Sequence, residues 1–215
     1  MQEKKKPPKI FHNDYSALIY EKEYAIKEKA SGARLIVTPD KDHVKMMLNL
    51  LAGENKNRRY SIVFYFIGSF REDGSKYQSA KTLSRGELES FCEKYLDFLE
   101  TDAGHNFGIR DIETKDTVIY DNHNVLYVFG NLQEKIEILE NSGYKKVEKI
   151  VIPKPCTFIY HSENAAIEQE IKTNNEWIFT PVKITEADED DDGDKEIVKK
   201  SFFDAMFDYL EKETL

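Results

Sequence analysis

Val125-Leu-Tyr-Val-Phe129 is apolar at every position. A strand with one solvated face alternates apolar and polar residues, so an unbroken apolar run of this length requires cover on both sides and is expected to be a central strand. Val118-Ile-Tyr120 leads into it through a tight polar turn, Asp121-Asn-His-Asn124. Directly after it, Gly130-Asn131 opens a helix bearing Leu132, Ile136 and Leu139, with Asn131 as its cap and Gly143 as its stop. Strand, turn, strand and capped helix follow one another with no loop to spare, and the rest of the chain has to pack around them.

Before this stretch, Asp14 to Lys29 pairs Glu23 with Lys27 at helical spacing and predicts a helix ending at Gly32, with a short hairpin as the alternative. Arg34 to Val37 is a short strand. Thr38-Pro39 then opens a helix whose Val44, Met47, Leu48 and Leu51 share one face and whose stop is Gly53. Tyr60 to Phe70 is the most apolar strand, Glu72 to Ser75 a hairpin turn, and Lys76 to Leu83 a weaker strand. Ser84-Arg-Gly-Glu87 is a capping box for a helix carrying Leu88, Phe91, Cys92, Tyr95, Leu96 and Leu99, after which Asn106 to Glu113 returns as a strand. Beyond the central stretch, Val147 to Ile152 and Thr157 to Tyr160 are strands, Glu163 to Ile171 a helix, and Trp177 to Ile184 a last strand.

This succession predicts an α+β fold. The mixed sheet is either two β-α-β-β-α-β (ferredoxin-like) units or one continuous sheet. The organisation expected is a basic arm and N-terminal helix or hairpin (1–33), a first α+β unit (34–116), a second (117–185), an acidic linker (186–196) and a C-terminal amphipathic helix (197–215).

Charge bounds the possible partners. The chain carries −9 formally, but Glu186 to Glu196 holds eight acids and one lysine, a local −7 that leaves −2 for everything else. Gln2 to Lys9 has four lysines against Glu3, in an arm too short and too rich in proline to be a folded element. The acidic segment repels itself into an extended tether. It delivers Ile197 to Glu213, a helix with Phe202, Phe203, Met206, Phe207 and Leu210 among its apolar residues. So much apolar surface on a tail has to dock on the body, on a second copy or on a partner.

Two cysteines without metal-ligand spacing, no apolar run after the charged N-terminus, and a longest apolar run (Ile62 to Ile67) far below the roughly 20 residues of a spanning helix predict a soluble, cytoplasmic protein. Neither a membrane partner nor a cofactor is expected. Cys92 belongs to an apolar helix face; Cys156 follows Pro155 at a strand start.

Asp121-Asn-His-Asn124 is the best polar site, because turns projecting from rigid central strands commonly carry function. His123 could act as a general base oriented by Asp121, or the two could ligate a metal. The same residues also suit the left-handed backbone of a two-residue hairpin turn. Asp188-x-Asp190-x-Asp192-Gly193 matches the opening of a calcium loop, but Lys199 stands where that loop needs its bidentate glutamate, so no metal is assigned. No nucleophile elbow, phosphate-binding glycine loop or dinucleotide fingerprint is present.

Leu126-Tyr-Val-Phe-Gly-Asn-Leu132 resembles the first-strand signature of RNA recognition motif domains, with one extra residue, Phe129. The family's second signature would fall at Lys154 to His161, where Pro155, Cys156 and His161 depart from it. The resemblance implies base stacking on Tyr127 and Phe158. Charge opposes it: Asn124 to Thr185 carries seven lysines, no arginine and eight glutamates, too little to neutralise phosphates. A non-enzymatic protein-binding or adaptor module using its C-terminal helix ranks first. A small enzyme or metal site at Asp121 and His123 ranks second, and RNA binding third.

Overall fold

The structure, a computed structural model, describes residues 9–12, 16–28, 32–52, 57–67, 74–152, 156–174 and 176–182. Two hairpins form its centre. β6 (His105–Asp111) pairs antiparallel with β7 (Thr117–Tyr120), which pairs antiparallel with β8 (Leu126–Phe129). The apolar run is a central strand, as expected: β8 lies between β7 and β3 (Arg34–Thr38), and both its faces are covered.

On the far side of β3 come β2 (Glu23–Lys27) and the short parallel β9 (Lys145–Lys146). On the far side of β6 come β4 (Tyr60–Phe66), β5 (Gly74–Ser79) and β11 (Trp177–Val182). Among the described residues this makes one nine-stranded sheet in the order β11-β5-β4-β6-β7-β8-β3-β2-β9. A separate ribbon pairs β1 (Ile10–His12) with β10 (Cys156–Phe158).

The α+β class therefore holds, with one continuous sheet. The β-α-β-β-α-β succession over residues 34–113 exists in chain order. However, β3 pairs with β2 and β8, and the β7–β8 hairpin stands between it and β6, so these strands form no separate ferredoxin-like sheet. The acidic linker and the C-terminal helix lie outside the described residues.

Every described α-helix packs on one face. α1 (His43–Leu50), α2 (Arg85–Lys94), α3 (Leu96–Thr101), α4 (Leu132–Asn141) and α5 (Ala165–Thr173) contribute Met47, Leu88, Phe98, Leu139 and Ile171 to a core shared with Ile62, Phe64, Phe107, Val118 and Val128. Strand residues of the other parity, Tyr65, Ile119 and Tyr127, make a smaller cluster on the opposite face.

Several local expectations change in this context. Over the described residues 16–28 the helix predicted for 14–29 is not formed, because Tyr24 and Ile26 go to the core face and Ala25 to the other; the alternation decides, and Glu23 and Lys27 become the two ends of β2. α1 begins at His43, after Asp42 in left-handed backbone (φ 53°), rather than at Pro39. Thr38 remains in β3, its hydroxyl donating to the Glu21 carbonyl at 3.1 Å, and the first-turn Val44 N–H is accepted by Glu100 Oε1 at 2.8 Å. The stop proposed at Gly53 lies outside the described residues. The capping box does form: Ser84 N donates to Glu87 Oε2 at 2.6 Å and Glu87 N to Ser84 Oγ at 3.4 Å. Residues 147–152 are not a strand; Ile152 instead packs over the second sheet face.

Asn131 does not cap α4 with its side chain. Its N–H donates to Asp116 Oδ1 at 3.0 Å, while Asp116 Oδ2 meets the buried Lys135 ammonium at 2.9 Å. Gly130 (φ 108°) passes so close that a Cβ there would stand 2.9 Å from the Asp116 Cα. Lys135→Met, which leaves the Asp116 charge buried and without its counter-ion, should cost about 3 to 5 kcal/mol in urea unfolding, against less than about 0.5 kcal/mol for the exposed Lys146→Met.

Candidate functional site

The Asp121 turn closes with Asp121 N donating to the Val125 carbonyl at 3.0 Å. Tyr120 pairs with Leu126 and Asn124 takes φ 62°, so the loop has a left-handed residue at its end rather than the two-residue form expected. The fully buried Asp121 carboxylate holds this loop: Oδ1 accepts the N–H groups of His123 and Val125, both at 2.9 Å, and Oδ2 meets His123 Nδ1 at 3.2 Å. His123 keeps 28% side-chain exposure and sets its ring edge-on to Phe158 of β10 at 5.1 Å. Asn122 N donates to Asn106 Oδ1 at 2.9 Å, and Tyr120 Oη to Asn124 Oδ1 at 2.7 Å.

Behind the turn lies a buried polar cluster. The His43 ring stacks on Tyr120 with centroids 4.9 Å apart and presents Nδ1 to Glu100 Oε2 at 3.0 Å. The Lys9 ammonium sits 3.6 Å from the centroid of the Tyr120 ring, and its Nζ has no hydrogen-bond partner among the described residues. Asp102 binds three donors: Gly104 N–H to Oδ1, and His161 N–H and Asn164 Nδ2 to Oδ2. His105, wholly buried, stacks on Phe98 at 4.2 Å, and neither ring nitrogen has a partner among the described residues.

Burial shifts the protonation of this cluster. Lys9 is brought down to about 7 by desolvation, against the opposing pull of Glu100, Asp121 and Asp102. Desolvation, reinforced by Lys9, holds His105 well below its usual value, and desolvation with Glu100 and Asp121 raises the Tyr120 phenol. Glu100 lies below the ordinary carboxylate range: desolvation opposes this, but the hydrogen bond and charge of His43, the Val44 N–H and Lys9 prevail.

Asp121 and His123 are thus together, as expected, and His43 and His105 lie in the cluster behind them. Lys9, Glu100, Asp102 and Asn106 escaped the sequence reading. The last residue of the basic arm, Lys9, is fully buried rather than outside the fold as its composition implies, and its carbonyl accepts the Ile159 N–H at 2.9 Å. One signal was available for Glu100: a carboxylate in the last turn of a helix opposes the macrodipole and calls for a partner.

The RNA-type residues do not share a sheet, since Tyr127 is buried in β8 and Phe158 lies in the β1–β10 ribbon. Phe202, Phe203, Met206, Phe207 and Leu210 fall outside the described residues, as does the calcium-like segment. Cys92 is buried in the core with its thiol pushed up to about 12 by desolvation, and Cys156 is half-buried in β10. Among the described residues no three His, Cys, Asp or Glu side chains converge as a metal site, and no helix is long and apolar enough to cross a membrane. Comparison with protein-family models, with curated proteins and with solved structures returned no match.

The unpartnered His105 ring carries a pH consequence. Folded His105 stays neutral while the unfolded imidazole titrates near 6.5, so as pH falls the unfolded chain binds the proton first. Its contribution to stability is complete above about pH 6.5 and drains away below it. His105→Phe should therefore flatten the loss of urea midpoint between about pH 6.5 and 5; parallel profiles for variant and wild type would contradict this.

Proposed function

We propose that the protein is a non-enzymatic protein-binding or adaptor module that engages a partner, another protein or a second copy of itself, through the C-terminal helix bearing Phe202, Phe203, Met206, Phe207 and Leu210. The observation that supports this most directly is the use made of Asp121. Oδ1 accepts two backbone N–H groups and Oδ2 meets the His123 imidazole, so the carboxylate that would orient His123 as a base is at the same time the brace of the turn. The chemically suggestive residues of this turn thus have structural employment, and the reading turns on the apolar composition of residues 197–213. Full-length wild type should capture a partner that the full-length double variant Phe203→Asp/Phe207→Asp captures at least tenfold more weakly when the purified pair is titrated. Equal affinity would end the proposal.

A specific observation favours a second reading, a small enzyme. Lys9, brought down to about 7, is a neutral amine for much of the physiological range, set among Glu100, Asp102 and Asp121. Such an amine can serve as nucleophile or base. In protein labelled with 13C at the lysine ε-carbons, the Lys9 resonance should titrate near 7 while those of the exposed Lys145 and Lys146 do not titrate below about pH 9. A Lys9 midpoint as high as theirs would remove the enzyme reading.

A further inference from the structure

The ribbon of β1 and β10 sets a histidine directly opposite a cysteine. In its register Ile10 stands across from Phe158, Phe11 from Thr157 and His12 from Cys156. Ile159 N donates to the Lys9 carbonyl at 2.9 Å, so Lys9 and Ile159 are a hydrogen-bonded pair, and alternation along the ribbon makes His12 and Cys156 a pair without a hydrogen bond between their backbones. The remaining bonds of β1 agree: His12 N donates to the Ser16 carbonyl at 2.9 Å and Leu18 N to the Ile10 carbonyl at 3.4 Å, on the edge turned from β10. In a pair of this kind the Cα atoms stand about 4.5 Å apart and both side chains leave the same face, closer together than at any other position of a ladder.

That face looks onto the Asp121 turn. Phe158, two positions from Cys156 on the same side of β10, meets the His123 ring edge-on at 5.1 Å. Desolvation first, then the charges of Asp121 and Cys156, raises the Tyr20 phenol, which places both groups around it; its buried Oη has no hydrogen-bond partner among the described residues. His12 and Cys156 are each only partly buried, so solvent reaches them. Cys92 is sealed in the core.

We propose that Cys156 is a nucleophilic thiol that takes a small disulfide of the oxidised-glutathione class, with His12 as its base. The His12 imidazole accepts the thiol proton, and the Cys156 thiolate attacks one sulfur of the disulfide. The S–S bond of the small disulfide breaks as the new one to Cys156 forms, and the departing thiolate takes the proton back from His12. The small disulfide is the oxidant, and the product is a mixed disulfide on Cys156.

Sulfur rather than acyl carbon is the electrophile, because the adjoining turn has no N–H left for an oxyanion. Asn122 N is given to Asn106 Oδ1, His123 N and Val125 N to Asp121 Oδ1, and Asn124 N to the Asp121 carbonyl. Acyl transfer needs such donors for its tetrahedral intermediate, whereas exchange at sulfur forms no oxyanion. Asp121 is the carboxylate that opposes a thiolate here, and its two N–H donors and His123 moderate its field. The exchange requires neither a partner for the tail nor a reactive Lys9, so it stands apart from both functions proposed for the chain.

The test mixes reduced full-length protein with oxidised glutathione at about pH 7 and maps the adduct by peptide mass spectrometry. The glutathionyl group should be found on Cys156 and not on Cys92. Its attachment should be about tenfold faster than to a synthetic peptide of residues 150–162, in which the same thiol lacks His12. His12→Gln should bring the folded protein down to the peptide's rate at about pH 7, and the deficit should close above about pH 9, where a thiol ionises without a base. His12→Asn repeats the measurement, with urea midpoints of both variants confirming that the fold is kept. A label on Cys92 in place of Cys156, a rate equal to the peptide's, or pH profiles that run parallel in wild type and the His12 variants would each overturn the proposal.

Discussion

Three buried aspartates hold the centre of this protein, and they recur at five-residue spacing. Asp111 turns β6 into β7 by accepting the N–H groups of Glu113 and Thr114 and meeting Arg58 at 3.3 Å. Asp116 sits where β8 gives way to α4, and Asp121 turns β7 into β8. A buried carboxylate is tolerable only when donors and counter-charges replace its hydration. Each of these accepts one or two backbone N–H groups that a tight turn or a helix start would otherwise leave unsatisfied, so the cost of the charge and the need of the backbone offset one another. β8 is consequently clamped at both ends, by Asp121 before Val125 and by Asp116 after Gly130, and the strands added on either side inherit its position.

The same device explains why the turn end of the sheet became polar inside. The Asp121 and Glu100 carboxylates lie below the surface, and the Lys9 amine and the His43 ring pack close by on the Tyr120 ring. The ribbon of β1 and β10 is tied down largely by this cluster and by the Ile159–Lys9 and Ala103–Ile159 backbone bonds. Burial of Lys9 and docking of β1 are one event here. His105 contributes packing on Phe98 rather than charge, which is why its neutral form is the one that belongs to the fold.

The sheet's two faces were filled by different means. The five α-helices among the described residues all pack on one side, so the core of Phe64, Phe107 and Val128 is sealed by elements with apolar faces of their own. Among the described residues the second face has the smaller cluster, and Tyr20 and Ile152, which pack over it, come from segments with no regular structure of their own.

How much of this was legible in the residues follows from how local each cause is. The unbroken apolar run of β8, the Ser84–Glu87 capping box and the stop at Gly143 depend on neighbours within a few positions, and they stand as read. β2 is ambiguous in the sequence because its alternation and its Glu23–Lys27 spacing conflict locally, and only pairing with β3 decides between them. The start of α1 depends on a carboxylate 56 residues away in sequence, from Glu100 to Val44, and the burial of Lys9 on carboxylates further still. The α+β class, the central strand and the Asp121–His123 turn were thus determined by the sequence alone. Strand order, the joining of all nine strands into one sheet and the assembly of Lys9, His43, Glu100 and His105 behind that turn were decided only by tertiary structure, because hydrogen-bond pairing and charge neutralisation act between groups that the chain itself keeps far apart.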